Sequence, residues 1–184
     1  DVSPLGKFDI KGKALDAFLL KLFNDTVQTT SKVFVTSATK QAPSNLQDAT
    51  CYRLAADHAI ITCPATQLES STQVLELHRN GCLHIVDVTS GLAVLRLIGP
   101  RSWDVLSKLT EIDLEPIVFQ NLECSEGELA KVHALIARND YAGHLSYEIF
   151  CGRDLSEHVW DAIMEAGQEF NINPLGVEGE NLLT

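Results

Sequence analysis

An internal repeat constrains the fold of this chain more than any other feature of its sequence. Residues 12–22 and 99–109 each begin with Gly, and apolar, Leu, Lys and Leu positions coincide in the two segments. The triplet Asp-Val-Ser at residues 1–3 precedes the first segment, and Asp-Val-Thr at 87–89 precedes the second at nearly the same distance. A shared order of strand, Gly and helix indicates two similar halves.

Hydrophobic periodicity then predicts the remaining elements. Alternating or β-branched apolar runs predict strands at 7–11, 32–36, 49–55, 58–63, 84–88, 92–98, 129–137 and 145–151. Apolar residues at helical spacing predict helices at 14–23 and 65–78, another after Pro100, and a last one that ends near Phe170. The polar, aperiodic segments 24–31 and 37–47 are predicted to be loops.

Each half thus follows the order β-α-β-β-α-β. This order predicts an α+β fold of two tandem ferredoxin-like (split βαβ) halves, with helices packed on antiparallel sheets. We assign residues 1–82 to the first half and 83–176 to the second, packed together as one unit, and residues 177–184 to a tail.

Charge and hydropathy exclude several classes of function. The net charge of −11, without a cluster of Lys and Arg, argues against nucleic-acid binding. No apolar run approaches the roughly 20 residues that a membrane helix needs, and no secretory leader opens the sequence. We therefore expect a cytoplasmic protein that does not associate with membranes.

Common catalytic and metal-binding motifs are missing from the sequence. The six His and five Cys residues are scattered, without the spacings of zinc sites, so we expect no metal. The cysteines lie in or beside apolar runs and are predicted to be structural. The sequence contains no G-x-S-x-G, P-loop or G-x-G-x-x-G motif, which disfavours common hydrolases and nucleotide-binding enzymes.

The stretch from residue 138 to 149 is the most distinctive. Arg138, Tyr141, Gly143, Tyr147 and Glu148 occur there in the order Arg-x-x-Tyr-x-Gly-x-x-x-Tyr-Glu, and Trp160-Asp161 follows on the next predicted helix. This pattern resembles the glycine-cleavage T-protein family. The opening residues 1–7, Asn24-Asp25 and the central segment from Asp87 to Pro100 also resemble that family, so the similarity covers nearly the whole chain.

The resemblance implies a folate-binding-domain fold (GcvT-like) with tetrahydrofolate in a cleft between the halves. Carried over by position, Tyr141, His144, Tyr147 and Glu148 would surround the folate, and Asp48 would be the catalytic acid/base. A simpler interpretation is also open: Gly143 only forms a turn, while Tyr147 and Glu148 are alternate strand positions, one facing inward and one solvated.

Several positions depart from the family pattern. His144 replaces the carboxylate that grips the pterin, and imidazole offers one acceptor where a carboxylate accepts two N–H bonds. The family's Asp-Asp pair becomes Gln47-Asp48, and its Asn-Ala stretch becomes Cys63-Pro64. The two arginines expected after Gly176 are absent. These changes argue against tetrahydrofolate binding by this chain.

A second relative fits the length of the chain better. The segment Ile112-Asp113-Leu114-Glu115-Pro116-Ile117-Val118-Phe119 resembles a pattern in the gamma subunit of heterotetrameric sarcosine oxidase. That family implies an accessory subunit that docks on larger flavoprotein subunits, with flavin only on those partners.

Two hypotheses remain open at this stage. In the first, the chain is a non-catalytic, gamma-type subunit of an oxidoreductase of the sarcosine-oxidase type, acting in N-methyl amine and one-carbon metabolism. In the second, it is a tetrahydrofolate-dependent aminomethyltransferase or methyltransferase, whole or a fragment.

Overall fold

A computed structural model describes residues 1–23, 32–35, 46 and 48–176. The chain divides into two compact units, one formed by Pro4–Gly91 and the other by Asp1–Ser3 together with the residues from Leu92 onward. The loop predictions at 24–31 and 37–45, Gln47 and the predicted tail at 177–184 lie outside the described residues.

The first unit contains a five-stranded antiparallel sheet and two α-helices. The elements are β1 (Gly6–Lys11), α1 (Leu15–Phe23), β2 (Lys32–Val35), β3 (Thr50–Ala55), β4 (His58–Cys63), α2 (Leu68–His78) and β5 (His84–Asp87). The sheet order is β2-β3-β4-β1-β5. Phe8 and Ile10 of β1 and the apolar face of α1 share one buried core, as the period-2 and period-3.6 patterns require.

The second unit contains a four-stranded antiparallel sheet with order β6-β9-β8-β7. Its elements are β6 (Leu92–Ile98), α3 (Ser102–Leu106), β7 (Cys124–Leu129), β8 (Val132–Arg138), β9 (Ser146–Gly152) and α4 (Ser156–Gly167). Val159 and Ile163 of α4 pack into a core with Ile136 and Ile149. β9 lies between β6 and β8, and all of its residues except Gly152 are buried.

The fold class predicted from the repeat is confirmed. In the first unit, β3, β4, β1 and β5 have the strand order of a split βαβ sheet, and β2 is an additional edge strand. In the second unit, β6, α3, β7, β8, β9 and α4 follow in the same sequence as β1, α1, β2, β3, β4 and α2. No strand corresponding to β5 follows α4 among the described residues.

One predicted strand is wrong. Residues 129–137 were interpreted as a single strand, but the chain reverses at Ala130-Lys131, where β7 meets β8. Both turn residues have positive φ, at 49° and 66°, which is the geometry of a tight type I′ hairpin. Asn and Gly usually occupy such turns, so the sequence carries no turn signal here. The strand β7 was also missed, because it is polar and lacks the apolar run that predicts a strand.

The strand at His84–Asp87 belongs to the first sheet. We began the second half at residue 83, but β5 pairs with β1 from Phe8↔Asp87 to Lys11↔His84. Pro4–Gly91 accordingly forms one unit. Alternating apolar residues identify a strand without identifying its neighbour, and this pairing could not be derived from periodicity.

The two Asp-Val-Ser/Thr triplets make the same set of hydrogen bonds. The Asp1 and Asp87 carboxylates accept from the N–H groups of Ser3 and Thr89, at 2.9 and 2.8 Å. Val2 N–H donates to the Val94 carbonyl, and Val88 N–H donates to that of Lys7, both at 2.9 Å. The hydroxyls then accept from the N–H groups of these two strand residues, Ser3 from Val94 at 3.0 Å and Thr89 from Lys7 at 2.9 Å.

Each triplet therefore binds the first strand of the opposite half of the sequence. The triplet at 1–3 lies on β6, and the triplet at 87–89 lies on β1. The repeated triplet is thus a structural clasp: residues 1–3 bond the outer edge of β6, and residues 87–89 extend β5 along β1. None of the helices within the described residues is long and apolar enough to cross a membrane.

Candidate functional site

The distinctive 138–149 stretch forms the end of β8, a reversal of the chain, and the start of β9. Tyr141 and His144 face each other across this reversal through two backbone hydrogen bonds, at 3.0 and 2.8 Å. Ala142 and Gly143 between them have positive φ, at 49° and 78°. Gly143 adopts this backbone at no steric cost, which explains why a Gly occupies this position.

Tyr147 is completely buried and hydrogen-bonded within its own unit. Its hydroxyl donates to the Leu114 carbonyl at 2.7 Å, and its ring stacks on Phe119 with centroids 6.4 Å apart. Burial disfavours the charged phenolate and raises the pKa of Tyr147 to about 12. The side chain therefore remains neutral at physiological pH and anchors the segment that contains Leu114 and Phe119.

Glu148 forms a buried ion pair with Arg96. The Arg96 guanidinium donates to Glu148 Oε1 at 2.6 Å, and the two residues are direct cross-strand partners on β6 and β9. The Glu148 side chain is 2% exposed and that of Arg96 is 17% exposed. The ring of Tyr141 lies over the same guanidinium at 5.1 Å, within the range of a cation–π contact. Glu148, Arg96 and Tyr141 thus form one cluster.

Arg138 ties the end of β8 to the segment that precedes β7. Its guanidinium contacts both carboxylate oxygens of Asp140, at 2.9 and 2.8 Å. A third nitrogen donates to the carbonyls of Pro116 and Phe119, each at 2.9 Å. The hydrogen bond to Asp140 is the main reason that the pKa of Arg138 is raised. These bonds engage the guanidinium in holding the backbone in place.

The two remaining candidate residues are exposed. His144 lies at the tip of the reversal with its side chain in solvent, and Asp48 belongs to the other compact unit. Asp48 is exposed and has a positive φ of 53°, a conformation that Asp tolerates better than most residues. Neither residue has a resolved contact with the cluster around Arg96.

A family model described as the GCVT N-terminal domain matches residues 1–184. The chain belongs to this family. Curated relatives named aminomethyltransferase, from Anoxybacillus flavithermus and a Geobacillus species, are 30% and 31% identical to it over 185 residues. The match covers the whole chain but 50% of either relative. The chain therefore spans about half the length of the curated relatives that it matches.

Solved structures of two kinds share the GCVT-type fold. A chain of heterotetrameric sarcosine oxidase from Corynebacterium sp. U-96, in complex with pyrrole 2-carboxylate, superposes with a TM-score of 0.72 at 18% identity, over 95% of this chain and 85% of that one. The aminomethyltransferase of the glycine cleavage system from Bartonella henselae superposes with a TM-score of 0.78 at 16% identity, over 100% of this chain and 48% of that one. The predicted family relationship is confirmed.

Two of the four predicted folate residues of this GCVT-type chain, Tyr141 and Glu148, meet at Arg96. Tyr147 pairs with Arg138 across the β8–β9 register, and its side chain contacts Leu114 and Phe119 instead. The expectation that one of Tyr147 and Glu148 is solvated is wrong, because both faces of the central strand β9 are covered and both residues are buried. Arg96 was missed, although a lone charge in the apolar run Leu92–Ile98 indicates a buried partner.

A separate cavity of about 430 Å³ lies beside β6 in the same unit. Arg96 lines it, and most of the other walls are apolar, including Leu97, Val105, Trp160 and Phe170. None of the four candidate folate residues lines this cavity. No group of His, Cys, Asp and Glu that could hold a metal ion occurs among the described residues. Cys51, Cys63, Cys124 and Cys151 are buried and Cys82 is exposed, and all five are free thiols.

The raised pKa of Tyr147 predicts a loss of stability at high pH. Below pH 10 the phenol is protonated in both the folded and the unfolded chain. Between pH 10 and 12 only the unfolded chain loses this proton, so the free energy of unfolding falls by about 2–3 kcal/mol over that window. Urea unfolding at pH 8 and pH 11.5 should therefore show a larger decrease for the wild-type chain than for Tyr147→Phe. Equal decreases would contradict the assignment.

Proposed function

We propose that this chain is the accessory, gamma-type subunit of a sarcosine-oxidase-like complex and carries no chemistry of its own. The complex would act in the cytoplasm on N-methyl amines, and flavin would reside on the larger partner subunits. The observation that carries the proposal is that Tyr141, Tyr147 and Glu148, three of the four implied folate positions, are engaged in side-chain contacts within the chain.

Tyr147 and Glu148 illustrate this occupation most clearly. The only polar atom of the Tyr147 side chain donates to the Leu114 carbonyl. Glu148 is paired with Arg96 and is 1% exposed as a residue. For Glu148 to bind a pterin edge, the ion pair would have to open, and Arg96 would be left as a charge beneath the Tyr141 ring. Removing the carboxylate from a largely buried ion pair is costly.

The substituted positions support the same proposal. His144 is exposed and stands where the resemblance places a carboxylate, so the two-acceptor contact with the pterin is lost. Cys63 stands where the resemblance places an Asn amide. It is buried, and burial raises the pKa of its thiol, so it remains a neutral, weak donor. Asp48 alone would remain of the implied catalytic pair.

The second candidate is a tetrahydrofolate-dependent aminomethyltransferase, of which this chain would form the N-terminal part. Its support is the 30–31% identity to curated aminomethyltransferases along the full length of the chain. Tyr141 contacts Arg96 and is partly exposed, so its ring could stack on a flat ligand. Asp48 would then be the acid/base.

Calorimetric titration of the chain with tetrahydrofolate separates the two proposals. The accessory role predicts a dissociation constant of about 1 mM or weaker. His144 replaces the carboxylate that would bind the pterin, and Glu148 is paired with Arg96. Tyr141→Ala serves as the matched variant, since it removes the only partly exposed ring among the four candidate folate residues and should leave this weak signal unchanged. A micromolar dissociation constant that Tyr141→Ala weakens would overturn the accessory role and support the transferase.

Co-expression with any flavoprotein encoded by a neighbouring gene tests the accessory role directly. The proposal predicts a complex that remains intact through size-exclusion chromatography and contains flavin in proportion to the partner. A chain that elutes alone after such co-expression contradicts it.

A further inference from the structure

The segment between Leu114 and Leu122 carries two exposed apolar side chains side by side. Ile117 is 81% exposed and Val118 is 56% exposed, and Leu122 is 37% exposed four residues later. We call residues 115–122 the apolar tip. Single exposed apolar residues are common on protein surfaces and need no explanation. The apolar tip differs because the rest of the molecule holds it in a fixed position.

Two buried anchors flank the exposed residues. Leu114 and Phe119 are 1% and 7% exposed, and both belong to the core of the second unit. Between them the backbone turns, since the N–H groups of Val118 and Phe119 both donate to the Glu115 carbonyl at 2.8 Å. The turn therefore directs Ile117 and Val118 away from the core that receives their neighbours.

Residues of the 138–149 stretch hold this turn in place through hydrogen bonds. Tyr147 bonds the Leu114 carbonyl, and Arg138 bonds the carbonyls of Pro116 and Phe119. Asn121 accepts from the Asp140 N–H at 2.9 Å, and Leu122 N–H donates to the Arg138 carbonyl at 2.9 Å. A surface held in one conformation loses little entropy on binding, which is the property of a pre-organised interface.

The charge around the apolar tip indicates what it contacts. Residues 109–130 contain six acidic residues and no Lys or Arg. Glu111, Asp113 and Glu115 are exposed. Arg138, which lies behind the tip, is neutralised by both oxygens of Asp140. The apolar side chains thus lie in a field of negative charge.

We propose that the apolar tip docks into an apolar pocket of the larger flavoprotein subunit, with Lys and Arg residues around the rim of that pocket. This inference rests on the proposed accessory role and locates its interface. Complementary charge would accelerate association. Burial of the Ile117 and Val118 side chains in the partner's pocket would supply the affinity. A membrane surface is disfavoured because it attracts Lys and Arg rather than carboxylates. A second copy of the chain would bring like charges together.

Binding of the purified chain to a flavoprotein encoded by a neighbouring gene tests this surface. The double variant I117S/V118S should weaken the complex by about tenfold or more, because both exposed apolar side chains of the tip are lost. Leu77→Ser is the matched control. Leu77 is 79% exposed on α2 of the other unit, and its variant should bind within about twofold of wild type. Both substitutions are at exposed positions, so circular dichroism and the unfolding midpoint should be unchanged.

Charge reversal provides an independent readout. Glu111→Lys with Glu115→Lys should slow association by about tenfold at low salt and flatten its dependence on ionic strength. A wild-type complex that I117S/V118S leaves unaltered overturns the docking surface while the accessory role stands. Failure of the wild-type chain to bind overturns the accessory role and this surface together. Wild-type binding to phosphatidylcholine and phosphatidylserine vesicles, lost in I117S/V118S, would assign the tip to a membrane and also overturn the proposal.

Discussion

Replacement of Glu148 by alanine is expected to destabilise the second unit by about 3–5 kcal/mol. The substitution removes the carboxylate that pairs with Arg96 at 2.6 Å and leaves the guanidinium between β6 and Tyr141 without its partner on β9. The Glu148 side chain is 2% exposed, so this ion pair lies largely out of bulk water. Urea unfolding followed by far-UV circular dichroism measures the loss.

Two controls make this result interpretable. Glu76→Ala breaks an ion pair with Arg79 whose side chains are 48% and 42% exposed, and it should cost about 0.5 kcal/mol or less. The double variant Arg96→Met with Glu148→Leu removes both buried charges, and it should recover most of the loss of the single variant. A loss in Glu148→Ala no larger than that in Glu76→Ala would show that the pair is solvated.

Replacement of Gly12 by alanine is expected to cost about 3 kcal/mol or more, whereas the equivalent Gly99→Ala should cost about 1–2 kcal/mol. The two glycines begin the two repeats, and both have positive φ, at 147° and 132°. A Cβ at Gly12 would lie 2.0 Å from the Cys82 carbonyl oxygen, whereas a Cβ at Gly99 would have no heavy atom within 4 Å. Gly99→Ala therefore measures backbone strain alone.

The difference between the two glycine variants measures the clash at Gly12. Because the obstructing atom belongs to the backbone just before β5, it cannot rotate away as a side chain could. Thermal and urea unfolding of the two variants under identical conditions give the difference. Equal losses would mean that the backbone at Cys82 moves aside without cost.

The sequence was sufficient for those parts of the fold that depend on local pattern. The alternation in β1 and the helical stripe of α1 each determine which side chains enter the core, and the duplicated register predicted two similar units. The turn at Ala142-Gly143 was also predictable, because Gly tolerates positive φ. The turn at Ala130-Lys131 was not, since neither residue favours that conformation and the hairpin is stabilised by the strands that it joins.

The candidate site was predictable only as a set of residues. The resemblance identified Tyr141, Tyr147 and Glu148, but the pairing of β6 with β9 determines that Glu148 lies opposite Arg96. Arg96 and Glu148 are 52 residues apart in the sequence, and the pairing of strands at such a distance leaves no periodic signal. The same limit explains why the sequence suggested a solvated position in β9, whose burial depends on neighbours from distant parts of the chain.

The reciprocal clasps also affect how the chain can be synthesised and divided. Ser3 and its partner Val94 are separated by 91 residues in the sequence, so the clasp on β6 can close only after Val94 has been synthesised. A cut between Gly91 and Leu92 would separate β6 from residues 1–3, while residues 87–89 would remain with β1. The two halves are therefore not modules that can be cloned separately without loss.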